Sequence, residues 1–300
     1  MRPPSVRSLT PGTRVVVEAP ATSANLGPGF DCFGLALDWR ESLEIEVTGP
    51  GVSVHVTGEG SDVLPRDETH LVVRCFTEGL DDLGAHAPGL ALRAHNTIPH
   101  GRGLGSSSAA IVAGLVAARA LAGVAPDPAW VLRHATRIEG HPDNVAAAIY
   151  GGFVMAYGHG EHVAVVAGRV HDGLRAAVAV SPVPVETRAA RRLLPRVVPH
   201  AEAAADAGRA ALLVHAIAEE PHLLHAGTQD WLHQRYREPA MPEAYALMAR
   251  LRAAGFAAAI SGAGPSVVVL GTETDLAGLE AAEPGTRFRR LGIGGHARAL

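Results

Sequence analysis

The sequence predicts an α+β protein made of two units. Short segments rich in β-branched or alternating apolar residues open the chain, a helical stretch follows, and after Gly151-Gly152 the same progression starts again. With 300 residues, 47% apolar and 19% charged, there is enough core-forming material for one large domain or two ordinary ones, which excludes disordered and collagen-like chains.

Strands are expected at residues 13–19 (TRVVVEA), 42–47 (SLEIEV) and 52–56, each bounded by Pro, Gly or polar residues. Over residues 68–83, Leu71, Val72, Cys75, Phe76, Leu80 and Leu83 recur at helical spacing and end at Gly84, so the pattern is an amphipathic helix. Residues 90–94 return as a strand. Residues 106–121, 129–139 and 143–150 read as helices separated by Gly and Pro. Strands then follow at 153–157, 163–167 and 175–181, with a long Ala-rich helical region over 187–254. Closing strands fall at 257–260, 266–270 and 287–291, with one helix between the last two. The division expected is 1–160 and 161–300, with no internal repeat.

Composition removes several chemistries. Cys32 and Cys75 are the only cysteines, too few for a disulfide scaffold or a multi-thiolate zinc site, and the chain reads as cytoplasmic. Every basic side chain is Arg, so no Schiff base and no lysine-dependent P-loop can form. A net charge of −4 without a basic stripe argues against nucleic-acid and membrane partners. The apolar stretch 109–125 is interrupted by Arg119 and reads as a packed helix, and the N-terminus as a short frayed extension without a signal-peptide core. Residues 159–162 (HGEH) could ligate a metal, but the flanking glycines favour an exposed turn.

The most informative segment is 99–110, PHGRGLGSSSAA. Its alternating glycines let backbone N–H groups turn toward a ligand, and the helix start after them adds unpaired donors and the positive end of a dipole. That combination cradles an anion, while the serine hydroxyls can donate to phosphate or ligate a hard cation. A dinucleotide fingerprint fails because Ser106 stands where its last glycine is needed, and a Ser-capped structural turn would not require three alternating glycines.

This loop resembles the central motif of the GHMP kinases. Residues 18–37 (EAPATSANLGPGFDCFGLAL) and 259–270 (AISGAGPSVVVL) are similar to that superfamily's first and third motifs, in the same order. The wording ATSANLGPGFD together with EGHPDN at 139–144 points to its homoserine kinase branch. The resemblance implies a two-domain kinase with the nucleotide between the halves, ATP and Mg²⁺ as cofactors, and L-homoserine as substrate on the way to threonine. Other sugar or isoprenoid-alcohol kinases of the superfamily, and a catalytically silent nucleotide-binding relative, are the alternatives. A homodimer is compatible with the sequence.

By the same resemblance, Pro99, Gly101, Gly103, Leu104, Gly105, Ser106, Ser107 and Ser108 surround the nucleotide phosphates, with Ser106 also counted among the catalytic groups. His70 stands on the adenine side where the family usually has Asn. Ser107 and Glu139 match the Mg²⁺ ligands, a hydroxyl and a carboxylate that suit that ion. Asn25, Asp31, His141, Asp143, Thr187, Arg191, Arg237, Gly262 and Gly264 match the amino-acid site. Asp31 would answer the ammonium, and Arg191 and Arg237 the carboxylate, because the guanidinium fork fits it bidentately. Asn144 stands where relatives such as mevalonate kinase place an aspartate. Asp143 is therefore expected to orient the hydroxyl and not to take its proton. Arg235 occupies a position that is often Pro.

Overall fold

The computed structural model describes residues 7–158 and 162–300. The first six residues of the expected N-terminal extension, the 160/161 division and all of the HGEH segment except His162 lie outside them. From Arg7 onward the extension is docked, a correction to the frayed reading. Arg7–Ser8 (β1) pairs in parallel with Ala85–His86, Leu9 is buried, and Arg7 donates to the Ala122 carbonyl at 3.0 Å.

The first sheet is built on a long hairpin, β2 (Arg14–Asn25) and β3 (Gly29–Thr48), followed by β4 (Gly51–Gly58). Both hairpin strands run far beyond the short segments expected. From Pro20 to Asn25 every residue is buried, so the period-two pattern that marks a half-exposed strand vanishes there. Register shifts at Pro20/Ala21 and Ala24/Asn25 remove what alternation remains. After α1 (Leu71–Asp82) and β5 (Ala85–His86) comes β6 (Gly89–Asn96), which lies between β3 and β4.

Three helices cover this sheet at the expected places: α2 (Ser106–Leu121), α3 (Pro128–Glu139) and α4 (Asp143–Tyr150). Helix α2 is apolar nearly all round and buried, wedged between α1, β2 and α3. Its small residues allow that position: a Cβ on Gly114 would stand 2.8 Å from the Val72 carbonyl of α1. Asp127 caps α3 by accepting the Trp130 N–H at 3.0 Å, and left-handed Gly140 ends it. The hairpin β7 (Phe153–Tyr157) and β8 (Ala164–Gly168) extends the same sheet through β3.

In the second unit, β9 (Arg175–Ala179) leads into α5 (Thr187–Arg192), α6 (His200–Ala218), α7 (Leu224–Gly227), α8 (Gln234–Arg237) and α9 (Pro242–Ala253). The single helical region expected is thus cut into pieces, because Pro195, Pro199, Pro221, Pro239 and Pro242 each remove a backbone donor and clash with the preceding turn. Next come β10 (Ala257–Ile260), β11 (Val267–Gly271), α10 (Glu273–Leu276), α11 (Leu279–Ala282) and β12 (Phe288–Leu291). Two short helices replace the one expected between the last strands, since left-handed Gly278 separates them. The second sheet has the order β10-β11-β9-β12. The chain then returns to the first sheet, where β13 (Arg298–Ala299) pairs with β2. No described helix is long and apolar enough to cross a membrane.

Candidate active site

The glycine loop is held from both units. Gly103 and Gly105 have φ of +72° and +67°, and a Cβ on either would overlap a neighbour: the Ser261 carbonyl at Gly103, the Thr22 hydroxyl at Gly105. Ser261 donates from its hydroxyl to the Gly103 carbonyl at 2.6 Å, and the Thr22 N–H donates to the Leu104 carbonyl at 3.0 Å. Thr22 also donates to Asn144 Oδ1 at 2.7 Å, tying the loop to α4. The loop so pinned opens α2, whose first-turn N–H groups have no partner inside the helix. An anionic ligand satisfies them.

Ser107 and Ser108 donate to the two oxygens of Glu139 at 2.7 and 3.1 Å. Glu139 is the last residue of α3, so its negative charge sits at the helix end that disfavours it. A cation relieves that arrangement. Among the described residues no group of three or more His, Cys, Asp or Glu gathers as a metal cage. A hydroxyl and one carboxylate, with phosphate and water filling the remaining positions, fit Mg²⁺.

The opposite end of the cavity is built from charge. Asn25 and Asp31 both take left-handed backbone conformations, φ +68° and +55°, around the turn joining β2 to β3. Asn25 donates to the Gly262 carbonyl at 2.7 Å and accepts the Asp31 N–H at 3.0 Å. Arg191, on α5, forks both oxygens of Asp31 at 2.7 and 2.5 Å, and this contact raises its already high pKa. Arg237, on α8, is only 1% exposed, and burial, then the nearby Arg191, push its pKa down to about 10. It donates to the Gly262 carbonyl at 3.1 Å and to His233 Nδ1 at 3.1 Å, while its Nε is buried without a partner. His233 is oriented in turn by donating from Nε2 to the Gly27 carbonyl at 2.7 Å. Both guanidinium groups lie over the Phe30 ring, at 5.4 and 5.2 Å from its centroid.

Between the two ends stand His141 and Asp143, with Nδ1 to Oδ1 at 2.7 Å. Burial lowers the His141 pKa, but the hydrogen bond and charge of Asp143 outweigh it, so the net shift is upward. The same Asp143 oxygen accepts the Asn144 N–H at 2.7 Å at the start of α4.

One cavity brings together Asn25, Asp31, Gly101, Gly103, Leu104, Gly105, Ser106, Ser107, Glu139, His141, Asp143, Asn144, Thr187, Arg191, Arg237 and Gly262. Pro99, Ser108 and Gly264 do not line it. Ser108 braces Glu139 from behind, and Gly264 makes a tight turn where a Cβ would overlap Met241. His70 lines an adjoining cavity, as the N-cap of α1. Arg235 points away and pairs with Glu202. Thr22, Phe30, His233 and Glu41 also face these cavities or hold their walls, and sequence reading passed over their roles. Thr22 and Phe30 lie inside the first motif and His233 opens the HQRYREP segment that holds Arg237, whereas Glu41 carries no motif signal.

Residues 70–152 match the family described as GHMP kinases N terminal domain, and residues 201–282 match GHMP kinases C terminal. The homoserine kinase of Streptomyces coelicolor is 51% identical, over 93% of this chain and 92% of its own. That of Mycolicibacterium vanbaalenii is 44% identical over 96% and 95%. A solved homoserine kinase from Cytophaga hutchinsonii superposes with a TM-score of 0.82 at 28% identity, covering 96% of this chain and 97% of that one. A mevalonate diphosphate decarboxylase from Enterococcus faecalis reaches 0.68 at 14% identity, which shows a shared fold and no more. With a glycine loop pinned between two units, a cluster of Asp31, Arg191 and Arg237 facing it across the cavity, and relatives matching nearly the whole length, the chain belongs to the homoserine kinase family of the GHMP kinases.

Proposed function

We propose that the cavity transfers the γ-phosphoryl group of ATP to the side-chain hydroxyl of L-homoserine, forming O-phospho-L-homoserine. The observation that carries this reading is the Asp31, Arg191 and Arg237 cluster facing the glycine loop across one cavity. A zwitterionic amino acid needs an anion and a guanidinium fork at one end, and a neutral sugar or isoprenoid alcohol has nothing for two arginines to bind. The Arg191–Asp31 pair already matches the two charges the substrate brings, so ammonium and carboxylate replace one internal ion pair with two intermolecular ones.

Ser107 and Glu139 would hold Mg²⁺, which supplies charge neutralisation at the phosphates when bound. Asp143, fixed by His141 and the Asn144 N–H, orients the substrate hydroxyl. Phosphoryl transfer through a loose transition state demands little early deprotonation, so the hydroxyl proton passes to a phosphate oxygen as the new P–O bond forms. Asn144, held by Thr22, cannot accept that proton and serves to position α4 against the loop.

ADP release measured across homoserine, serine, threonine, galactose and mevalonate tests the assignment. Homoserine should give the highest kcat/KM, and preference for a neutral alcohol would refute it.

A further inference from the structure

The short helix α8, which carries Arg237, is clamped by its own surroundings. Asp230, whose side chain is fully buried, accepts the backbone N–H groups of Leu232 at 2.8 Å, His233 at 3.2 Å and Gln234 at 2.8 Å, which fixes the start of the helix. Gln234 Oε1 accepts the Ile260 N–H at 2.6 Å, at the end of β10 and just before the Ser261–Gly262 turn. From the other side the turn joining β2 to β3 presses on the chain ahead of α8: Gly27 has φ +92°, and a Cβ there would overlap the Thr228 carbonyl. The helix therefore meets both turns that wall the amino-acid end of the cavity.

His233 stands immediately before α8 with its ring fully buried and both nitrogens engaged. Nε2 faces the Gly27 carbonyl and Nδ1 faces Nη1 of Arg237. A carbonyl only accepts and a guanidinium only donates, so the proton sits on Nε2 and Nδ1 is the acceptor. Burial lowers the His233 pKa and, with the positive charge of Arg237, outweighs the pull of Asp230, so the ring is neutral at pH 7. The Phe30 ring, 5.3 Å from the imidazole and 5.2 Å from the Arg237 guanidinium, packs against both.

The neutrality of that contact matters. Arg191 gives its fork to the Asp31 carboxylate, whereas the two bonds of Arg237, to His233 and to the Gly262 carbonyl, both leave from Nη1 and both go to neutral acceptors. A carboxylate in place of the imidazole would orient Arg237 equally well but would also neutralise it. We propose that His233 is a positioning residue for the phosphotransfer reaction: its Nδ1 acceptor, set by the bond from Nε2 to the Gly27 carbonyl, holds Nη1 of Arg237 and leaves the rest of the guanidinium for the carboxylate of the amino-acid substrate. The inference rests on the reading that homoserine occupies this cavity.

Steady-state kinetics of His233→Leu and His233→Asn test it. Leu fills the space without an acceptor, so the homoserine KM should rise about tenfold, the lower end of what losing a hydrogen bond from a charged group costs, with kcat and the ATP KM near wild type. Asn carries its amide oxygen where Nδ1 stands, so His233→Asn should recover most of the homoserine KM although the donor to Gly27 is gone. A role limited to stability would raise that KM in both variants alike or in neither, and either result overturns the proposal. Should His233→Leu not fold, the wild-type ring decides the matter. In a long-range proton–nitrogen NMR spectrum the His233 signals, assigned by their absence in His233→Asn, should show a protonated Nε2 and a bare Nδ1; a proton on Nδ1 overturns the proposal. If wild type fails to phosphorylate homoserine, the reading of the function falls instead, whereas turnover with an equal homoserine KM in wild type and both variants removes only His233.

Discussion

Arg191 and Arg237 bring the same charge to the same end of the cavity, but their surroundings separate their roles. Arg191 is about one-third exposed and held by Asp31, so Arg191→Ala should leave stability near wild type while raising the homoserine KM about ten- to a hundredfold. Arg237 is buried against Phe30 and the Gly262 carbonyl, so Arg237→Ala should lower Tm as well as homoserine affinity. Steady-state kinetics with melting curves check both, and unchanged homoserine kinetics in either variant would remove that arginine from the site. His141 offers a test with a definite sign. Removing the Asp143 charge leaves burial as the dominant influence, so Asp143→Asn should bring the His141 pKa from above its ordinary value of about 6.5 to below it. Because the folded pKa is raised, the pairing stabilises fully below about pH 6.5 and is lost as pH rises through the folded value. The Tm difference between wild type and Asp143→Asn should shrink from acid to alkaline pH, and an NMR titration of the ring reads the pKa directly. In the same variant kcat should fall by less than about 10²-fold with its pH profile retained, since a general base begins to matter at about that size.

At the scale of elements, the glycine-loop end of the cavity is a meeting of opposite helix ends. The start of α2 presents Ser107 and free N–H groups, and the end of α3 presents Glu139. Glu139→Gln keeps the shape, lets one serine donate to its carbonyl while its NH2 donates to the other, and removes the charge that a helix C-terminus disfavours. It should therefore fold at least as stably as wild type, need more Mg²⁺ for half-maximal rate, and turn over more slowly, with Ser107→Ala shifting the Mg²⁺ requirement less. Mg²⁺ titrations that overlay wild type in both variants would refute the metal assignment. The helices themselves were readable because their apolar spacing and Gly or Pro stops are local. The long hairpin was not, because β2 is covered on both faces beyond Pro20 and loses the alternation that identifies a strand.

Across the whole molecule, the two units are bound by returns of the chain that no local signal announces. Strand β13 closes the edge of the first sheet, where Arg298 pairs with Glu18 at 2.9 Å and the Leu300 N–H donates to the Val16 carbonyl at 2.9 Å. Deleting residues 298–300 should lower stability by about 1–3 kcal/mol, the worth of a few exposed backbone bonds, with homoserine kinetics nearly unchanged. Chemical denaturation measures the first, and an unaltered midpoint would show that β13 contributes nothing. By itself the sequence determined the α+β class, the main helices, and the glycine-rich loop that opens α2, since periodicity, Gly and Pro placement and short motifs are written within a few residues of one another. Resemblance across the three motifs carried it to the kinase family and to most of the residues that line the cavity. Only the tertiary structure decided that Arg191 forks Asp31, that Arg237 is buried with His233 behind it, and that Glu41 is buried on the wall of the cavity that His70 also lines. Those properties depend on neighbours more than a hundred residues apart in sequence or on burial from several elements at once, and desolvation has no sequence pattern.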